Sequence, residues 1–185
     1  MTSHKDSERF IKVSGPVLDR SPADPYFVGN PCVVVAGGTW HLWYLSGSAW
    51  HEREGDAPYA DYNIRHAVSH DGVDWEVTPG VCIDYQHDGE MAIARPAVSY
   101  GEGRFRMWYS YRGLNFPYRL GYAESSDGMV WQRKDAEIDL PTSPTGWDSE
   151  MICYPHVFCS HGKTYLAYCG NGFSREGIGL AVLDP

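Results

Sequence analysis

Basic side chains are few in this chain of 185 residues, which carries 15 lysine and arginine residues against 24 aspartate and glutamate residues. The formal net charge is −9 and the pI is near 5.2. Binding to phosphate requires clustered lysine and arginine, and the sequence contains no such cluster. We therefore expect no nucleic acid and no anionic membrane among its partners.

Long apolar runs are also missing. The amino terminus is polar and lacks the apolar stretch of a signal peptide, and no run of about 18 apolar residues is present to span a bilayer. From these absences we expect a soluble, cytoplasmic protein.

Cysteine and histidine lack the spacing of a covalent framework or a metal centre. The five cysteines are odd in number and form no CxxC pair, which argues against disulfides and structural zinc. The eight histidines show no HExxH or similar spacing. The sequence thus predicts no metal and no cofactor.

Aromatic residues, by contrast, are abundant. Seven tryptophans and thirteen tyrosines bring the aromatic share to 14% with phenylalanine included, more than a core needs. This surplus fits a protein that presents flat rings to a ligand as well as packing them. Sugar rings are one class of such ligands.

The most informative feature is an internal repeat, in which a proline is followed thirteen residues later by a tyrosine. The three instances are Pro31/Tyr44, Pro96/Tyr109 and Pro155/Tyr168, with prolines 65 and 59 residues apart. A period of this size accommodates a four-stranded sheet and is typical of a β-propeller. We therefore predict an all-β fold, a β-propeller built from four-stranded antiparallel blades.

Two of the repeats continue into the pattern Ala-x-Ser-x-Asp-Gly-x-x-Trp, here called the tryptophan box, at residues 67–75 and 123–131. Aspartate accepts amide hydrogen bonds within its own turn, and glycine permits a positive φ. We interpret the boxes as structural turns. Gly37-Gly38 supplies another turn, between predicted strands at 32–35 and 40–45.

The third repeat stops after its third predicted strand, and the amino terminus supplies a matching fourth. Asp6 stands four residues before Phe10, as Asp71 stands before Trp75. We predict one propeller segment of about three blade equivalents: residues 1–19 as the last strand of an interrupted blade, 20–84 and 85–140 as two blades, and 141–185 as the first three strands of an interrupted blade.

Three blades are too few to close a propeller, which usually has about four to eight. Either the chain is part of a longer protein, or two copies complete each other's interrupted blades. We expect a homo-oligomer, with a dimer favoured.

Four segments resemble a known family. They are Asp-Arg-Ser-Pro-x-Asp-Pro-Tyr-Phe-Val-Gly at 19–29, Ala-Arg-Pro at 94–96, Met-Trp-Tyr-Ser-Tyr-Arg-Gly at 107–113 and Trp-Asp-Ser-Glu-Met-Ile-Cys-Tyr-Pro at 147–155. They look like the C-terminal three blades of uncharacterised five-bladed propellers related to arabinanase, β-xylosidase and invertase-type glycoside hydrolases. The resemblance implies a carbohydrate ligand and hydrolysis of glycosidic bonds. In those hydrolases the general base aspartate comes from the first blade, which this sequence lacks.

In such propellers the inner strands begin at the central shaft, so residues just before the repeated prolines should converge. Glycoside hydrolysis needs two carboxyl groups, roughly 5 Å apart for retention or 6.5 to 9.5 Å for inversion. We predict Glu90 as the acid, Glu150 as the base or a substrate clamp, and Asp24 as a third catalytic member. The alternative is that these carboxylates bond backbone amides or pair with arginine across blades.

The predicted substrate-binding residues are Arg95, Tyr26, Asn30, Asp148, Tyr154 and His156. Arg95 is expected to orient a carboxylate or a uronic-type sugar acid, or to tie Glu90 in place. The aromatic members are expected to stack on or bond a sugar ring, or else to pack around the shaft, and Asn30 could equally be a turn residue. The sequence thus leaves two functions, a glycoside hydrolase and a noncatalytic glycan-binding or assembly propeller.

Overall fold

The computed structural model describes residues 9–13, 15–52, 54–55 and 57–183, and within them nearly all regular structure is β-strand. The strands are β1 (Val28–Ala36), β2 (Thr39–His51), β3 (Tyr59–Ser69), β4 (Glu76–Val77), β5 (Glu90–Gly101), β6 (Arg104–Gly113), β7 (Arg119–Ser125), β8 (Gln132–Arg133), β9 (Cys153–Ser160), β10 (Lys163–Cys169) and β11 (Ile178–Val182). A 3-10 turn covers Asp135–Glu137, and a four-residue helix, α1, covers Asn171–Ser174. The all-β prediction is confirmed.

Strands β1 to β4 pair antiparallel in chain order, and β5 to β8 repeat the arrangement. A parallel bridge between Tyr62 and Ala92 joins β3 to β5, so these eight strands share one sheet. Strands β9, β10 and β11 form a second, three-stranded sheet. The division into blades stays a prediction.

The strands differ in length from the sequence prediction. β2 reaches well beyond the predicted range 40–45, because its ladder with β3 continues to the pair His51 and Tyr59. The fourth strand of the first repeat pairs with β3 only at Glu76–Val77, with an isolated bridge from Ile83 to Ile64. Pro79-Gly80 interrupts it, since proline cannot donate to the ladder and Gly80 has a φ of +86°.

The tryptophan boxes form the turns expected of them. In the first, the Asp71 carboxylate accepts the backbone N–H groups of Val73 and Asp74, and Trp75 Nε1 donates to the Gly72 carbonyl. The second repeats these bonds with Asp127 and Trp131. The structural interpretation of the boxes is confirmed.

The amino-terminal segment does not join a sheet within the single chain. Described residues 9–13 and 15–19 form no strand, and the Phe10 side chain is fully exposed. Asp6, on which the predicted fourth strand partly rests, lies outside the described residues. Within the described ranges, no helix is long and apolar enough to cross a membrane.

Candidate functional site

Asp24 precedes β1 and is fully buried. Its carboxylate accepts the Tyr44 hydroxyl at 3.2 Å and the Ser21 hydroxyl at 3.1 Å, and it lies 3.4 Å from Arg65 Nη1. All of these partners belong to the protein itself, so the hydrogen-bonding capacity of the Asp24 carboxylate is used within the fold. The catalytic role predicted for Asp24 remains a hypothesis, in competition with this structural one.

Glu90 begins β5, and its side chain has no exposed surface. Its carboxylate accepts the backbone N–H groups of Gln86 at 2.7 Å and His87 at 3.0 Å. Arg133 Nη1 donates to both carboxylate oxygens at 3.0 Å and also ties in Asp135 through Nη2. The arginine that holds Glu90 is therefore Arg133, and not Arg95 as considered from the sequence.

The segment that leads into β9 holds the other two carboxylates in contrasting surroundings. Asp148 is buried and accepts the Tyr168 hydroxyl at 3.0 Å. Glu150 is exposed, and its backbone N–H donates to the Asn171 side-chain carbonyl at 2.9 Å. No hydrogen bond or ion pair of the Glu150 carboxylate occurs among the described residues. Of the four predicted carboxylates, Glu150 is the one open to solvent.

The residues that precede the three repeated prolines share an unusual backbone. Asn30, Arg95 and Tyr154 have φ values of 50°, 55° and 58°, although a residue before proline is normally extended. The ladders of β1 and β5 shift register at these positions, and that of β9 shifts beside Tyr154. Strained positions of this kind persist where surrounding structure fixes them, and they cluster at ligand sites.

This backbone brings two predicted binding residues together. The Arg95 guanidinium carbon lies 4.8 Å from the centre of the Tyr154 ring, and the Tyr154 N–H donates to Ser110 Oγ at 2.7 Å. The His156 ring, exposed on β9, instead stacks on Phe158. Tyr26 is exposed and Asn30 half-buried.

An open groove of about 670 Å³ lies beside Tyr154, here called the aromatic groove. Its rings and its one charged side chain are Tyr62, Arg112, Phe116, Tyr118, Tyr154 and Phe173. The other lining residues are Gly113, Leu114, Asn115, Pro117 and Met151. The groove is thus walled by aromatic rings, and no acidic side chain lines it among the described residues.

Arg112 sits between two of these rings. Its guanidinium carbon lies 5.9 Å from the Tyr62 ring centre and 5.5 Å from that of Tyr118, and Nη1 is 3.8 Å from Met91 Sδ. Burial opposes its charge, but the neighbouring Tyr62 and Tyr118 side chains outweigh this effect and raise the pKa of Arg112. The two hydroxyls also bond each other. Arg112 is therefore a fixed cation in an aromatic setting.

The opposite wall of the groove is a strained loop. Gly172, Phe173 and Ser174 follow one another with φ values of 61°, 58° and 76°. The Phe173 ring stays 58% exposed, stacked on Tyr154 at 6.1 Å and edge-on to Tyr118 at 6.0 Å. Buried Asn171 anchors the loop by accepting the N–H groups of Glu150 and Met151. An exposed aromatic ring is thereby held over the groove.

Sequence reasoning missed most of this groove. Arg112 lies in the segment 107–113 that resembles the propeller family, but no binding role was predicted for it. It stands three residues after Tyr109, where the other two repeats carry Gly47 and Asn171. This charged residue at an otherwise uncharged position of the repeat is the sequence feature that could have identified it. Nothing local marked Tyr62, Tyr118 or Phe173. Across the described ranges, no group of three histidine, cysteine or acidic side chains is arranged to hold a metal ion.

Comparison with known proteins bears on the fold of the chain. No family model matches the chain. Uncharacterised proteins from two strains of Mycobacterium tuberculosis are 39% identical over 169 residues, which is 91% of this chain and 55% of their own length. The chain therefore spans about half the length of the curated relatives it matches.

Solved structures with a similar fold include several glycoside hydrolases. A complex of BT0996 with RGII has a TM-score of 0.70 at 19% identity, covering 94% of this chain and 52% of that one. The family 117 glycoside hydrolase Zg3597 of Zobellia galactanivorans has 0.69 at 18%, covering 91% and 56%. The Bombyx mori GH32 β-fructofuranosidase BmSUC1 has 0.66 at 18%, covering 84% and 34%. The chain thus has the propeller-type fold of arabinanase- and invertase-related glycoside hydrolases, as its sequence segments suggested.

Proposed function

We propose that this chain is the carbohydrate-binding part of a glycoside-hydrolase-like propeller and that its aromatic groove holds a sugar without cleaving it. The observation that carries the proposal is the lining of the groove, with five aromatic rings, one arginine and no carboxylate among the described residues. Aromatic faces pack against the apolar faces of ring-shaped ligands, and a few polar groups fix orientation. The groove provides both.

The state of the predicted catalytic carboxylates supports binding over hydrolysis. Two of the three, Asp24 and Glu90, are buried and bonded to a tyrosine hydroxyl, arginine or backbone amides, and Asp148, predicted to bind substrate, is buried on the Tyr168 hydroxyl. A general acid or nucleophile must reach the glycosidic oxygen or the anomeric carbon. Buried carboxylates held in this way are better suited to fixing the sheets.

Phe173 offers a direct test, because its exposed ring can be removed with little effect on folding. A panel of neutral and acidic mono- and oligosaccharides is screened by intrinsic fluorescence, and hits are titrated by calorimetry. We expect Phe173→Ala to weaken binding about tenfold through lost stacking, while Phe158→Ala, an exposed ring on β9, leaves it unchanged. Absence of any bound sugar at millimolar concentration, or equal affinity of Phe173→Ala and wild type, contradicts the proposal.

Hydrolysis is the second candidate, favoured by the exposed Glu150 carboxylate, which has no hydrogen bond or ion pair within the described part of the chain. A panel of nitrophenyl glycosides tests it with wild type and with Glu150→Gln. Activity abolished by Glu150→Gln but kept in the surface control Glu102→Gln would establish hydrolysis through Glu150. Absence of turnover in wild type leaves the binding function.

The proposed protein partner is a second copy of the chain. Strand β11 is paired on one side by β10, and its other edge has no partner among the described residues. In the first sheet, Ala67 pairs with the second residue after Trp75 and Val68 with the first. In the proposed assembly, Phe10 takes the place of Trp75, and Ala181 and Val182 of β11 take the places of Ala67 and Val68. The same register then sets Lys12 opposite Ala181 and Ile11 opposite Val182. We therefore propose that residues 9–13 of one copy extend the β11 edge of another.

A further inference from the structure

We propose that the aromatic groove selects sugars that carry a carboxylate and that Arg112 is the residue that recognises this group. The inference rests on the proposed function, since it names the class of carbohydrate that the groove binds. Its basis is the difference in partners between half-buried Arg112, which has no carboxylate partner among the described residues, and the more buried Arg65 and Arg133, which do.

The two arginines with the least exposed side chains in the ion pairs of this fold are held by carboxylates, whereas half-buried Arg119 donates to the backbone carbonyls of Tyr118 and Glu150. Arg133, 3% exposed at its side chain, bonds Glu90 and Asp135, and Arg65, 11% exposed, faces Asp24. Arg112 is half-buried and forms no ion pair among the described residues; its neighbours are two tyrosines and a methionine thioether. The Arg112 guanidinium therefore keeps N–H donors that no carboxylate of the described residues accepts. An anionic group of the ligand would supply the missing partner.

The surroundings of Arg112 prepare it for such a ligand. The Tyr62 and Tyr118 side chains flank the planar guanidinium, which limits the conformational freedom that Arg112 would lose on binding. The planar fork of arginine matches a carboxylate through two parallel hydrogen bonds. A sugar ring against the aromatic walls would bring a carboxylate on its edge to this fork.

The charge around the groove agrees with an anionic ligand. The chain as a whole carries a net charge of −9, yet the groove is lined by a cation and by no acidic side chain among the described residues. Arg95 adds a second guanidinium over the Tyr154 ring, also without an ion pair in the described ranges. This local reversal of sign is expected where a negatively charged group is held.

The test compares three forms of one sugar: a hexuronic acid oligosaccharide, its methyl ester and the neutral parent hexose oligosaccharide. Galacturonate and glucuronate series are both titrated by calorimetry against wild type, Arg112→Gln, Arg112→Lys and Arg104→Gln. We expect wild type to bind the acid about ten- to a hundredfold more tightly than the ester or the neutral sugar. Arg112→Gln should lose this preference while it still binds the neutral form. Arg112→Lys should keep a reduced preference, and Arg104→Gln, altered at an exposed surface pair, should behave as wild type.

Each outcome separates the two proposals. Equal affinity of wild type for acid, ester and neutral sugar overturns the inference and leaves the carbohydrate-binding function standing. Binding of none of the three overturns the proposed function and the inference with it. If Arg112→Gln does not fold, the comparison of acid with ester in wild type decides, together with added salt, which should weaken binding of the acid alone.

Discussion

Each tyrosine of the thirteen-residue repeat donates its hydroxyl to a buried or half-buried aspartate. Tyr44 bonds Asp24, Tyr168 bonds Asp148, and Tyr109 bonds Asp135. Burial, with the adjacent carboxylate in support, raises the pKa of all three tyrosines. The hydroxyls therefore remain protonated donors. The tyrosine of each repeat thus has a structural role, as the donor of a hydrogen bond to an aspartate.

The residue-scale prediction concerns Glu90, whose side chain and that of Arg133 are 0% and 3% exposed. Because Glu90→Gln removes one of the two carboxylates paired with the buried Arg133 guanidinium while Asp135 remains, we expect the free energy of unfolding to fall by about 3 kcal/mol, the low end for a broken buried pair. Urea denaturation measures it. The matched control is Glu102→Gln, 82% exposed and paired with Arg106, which should change stability by less than about 1 kcal/mol.

Sugar binding separates the two roles of Glu90. Glu90→Gln should retain whatever binding the folded protein has, because Glu90 does not line the groove. A variant as stable as wild type that has lost glycosidase activity would instead support the catalytic role predicted from the sequence.

At the scale of elements, strands β2 and β3 hold a pair of histidines against the second half of the sheet. His41 Nδ1 lies 3.1 Å from His66 Nε2, and Phe105 of β6 packs on His41. His66 is fully buried and bonds Thr78 through Nδ1. Burial, and then the neighbouring His41, lower the pKa of His66 to about 4, and nearby Asp127 opposes the change in part.

This pair predicts a loss of stability in mild acid. At pH 7.5, one unit above the ordinary pKa of 6.5, His66 is almost entirely neutral in both the folded and the unfolded state. Between about pH 6.5 and 4 the unfolded state takes up a proton that folded His66 does not, so the free energy of unfolding falls as the pH falls. At pH 5 the loss from this residue is about 2 kcal/mol relative to pH 7.5.

Urea unfolding at the two pH values measures this loss. The decrease should be about 2 kcal/mol smaller in His66→Gln than in wild type, because the substituted side chain does not titrate. His161→Gln, in an exposed turn, should keep the wild-type dependence. Equal pH dependence of His66→Gln and wild type would rule out His66 as its source.

At the scale of the whole molecule, two apolar features remain uncovered in the single chain. Phe10 and Ile11 are 107% and 87% exposed, and Ile178, Leu180 and Val182 of β11 are all more than half exposed. An open strand edge with apolar side chains readily accepts another strand. Joining residues 9–13 of one copy to β11 of another would cover both features.

The corresponding prediction is a two-chain species. Light scattering after size exclusion at tens of micromolar should give twice the chain mass of 20.8 kDa. Phe10→Asp should shift the population toward single chains, because a carboxylate would replace the ring at the proposed contact. Val130→Asp, at a 76% exposed valine in a turn, is the control. A wild-type protein that stays a single folded chain at tens of micromolar contradicts this assembly.

The sequence by itself determined the features that depend on neighbouring residues. Turn pairs such as Gly37-Gly38 and the two tryptophan boxes predicted where strands end, because glycine and aspartate act within a few residues of themselves. The repeat predicted the all-β class, since its period sets the size of each unit. The resemblance of four segments pointed to the glycoside-hydrolase fold that the comparisons support.

Tertiary structure alone decided which side chains meet. Glu90 pairs with Arg133 and not Arg95, Arg112 lies between Tyr62 and Tyr118, and a left-handed loop sets Phe173 over the groove. These contacts join residues from different strands and sheets, so their distances follow from how the sheets pack and leave no local pattern in the chain. For the same reason, the sequence identified the carboxylates near the repeated prolines but not their partners, and it is those partners that turn the proposal from cleavage toward binding.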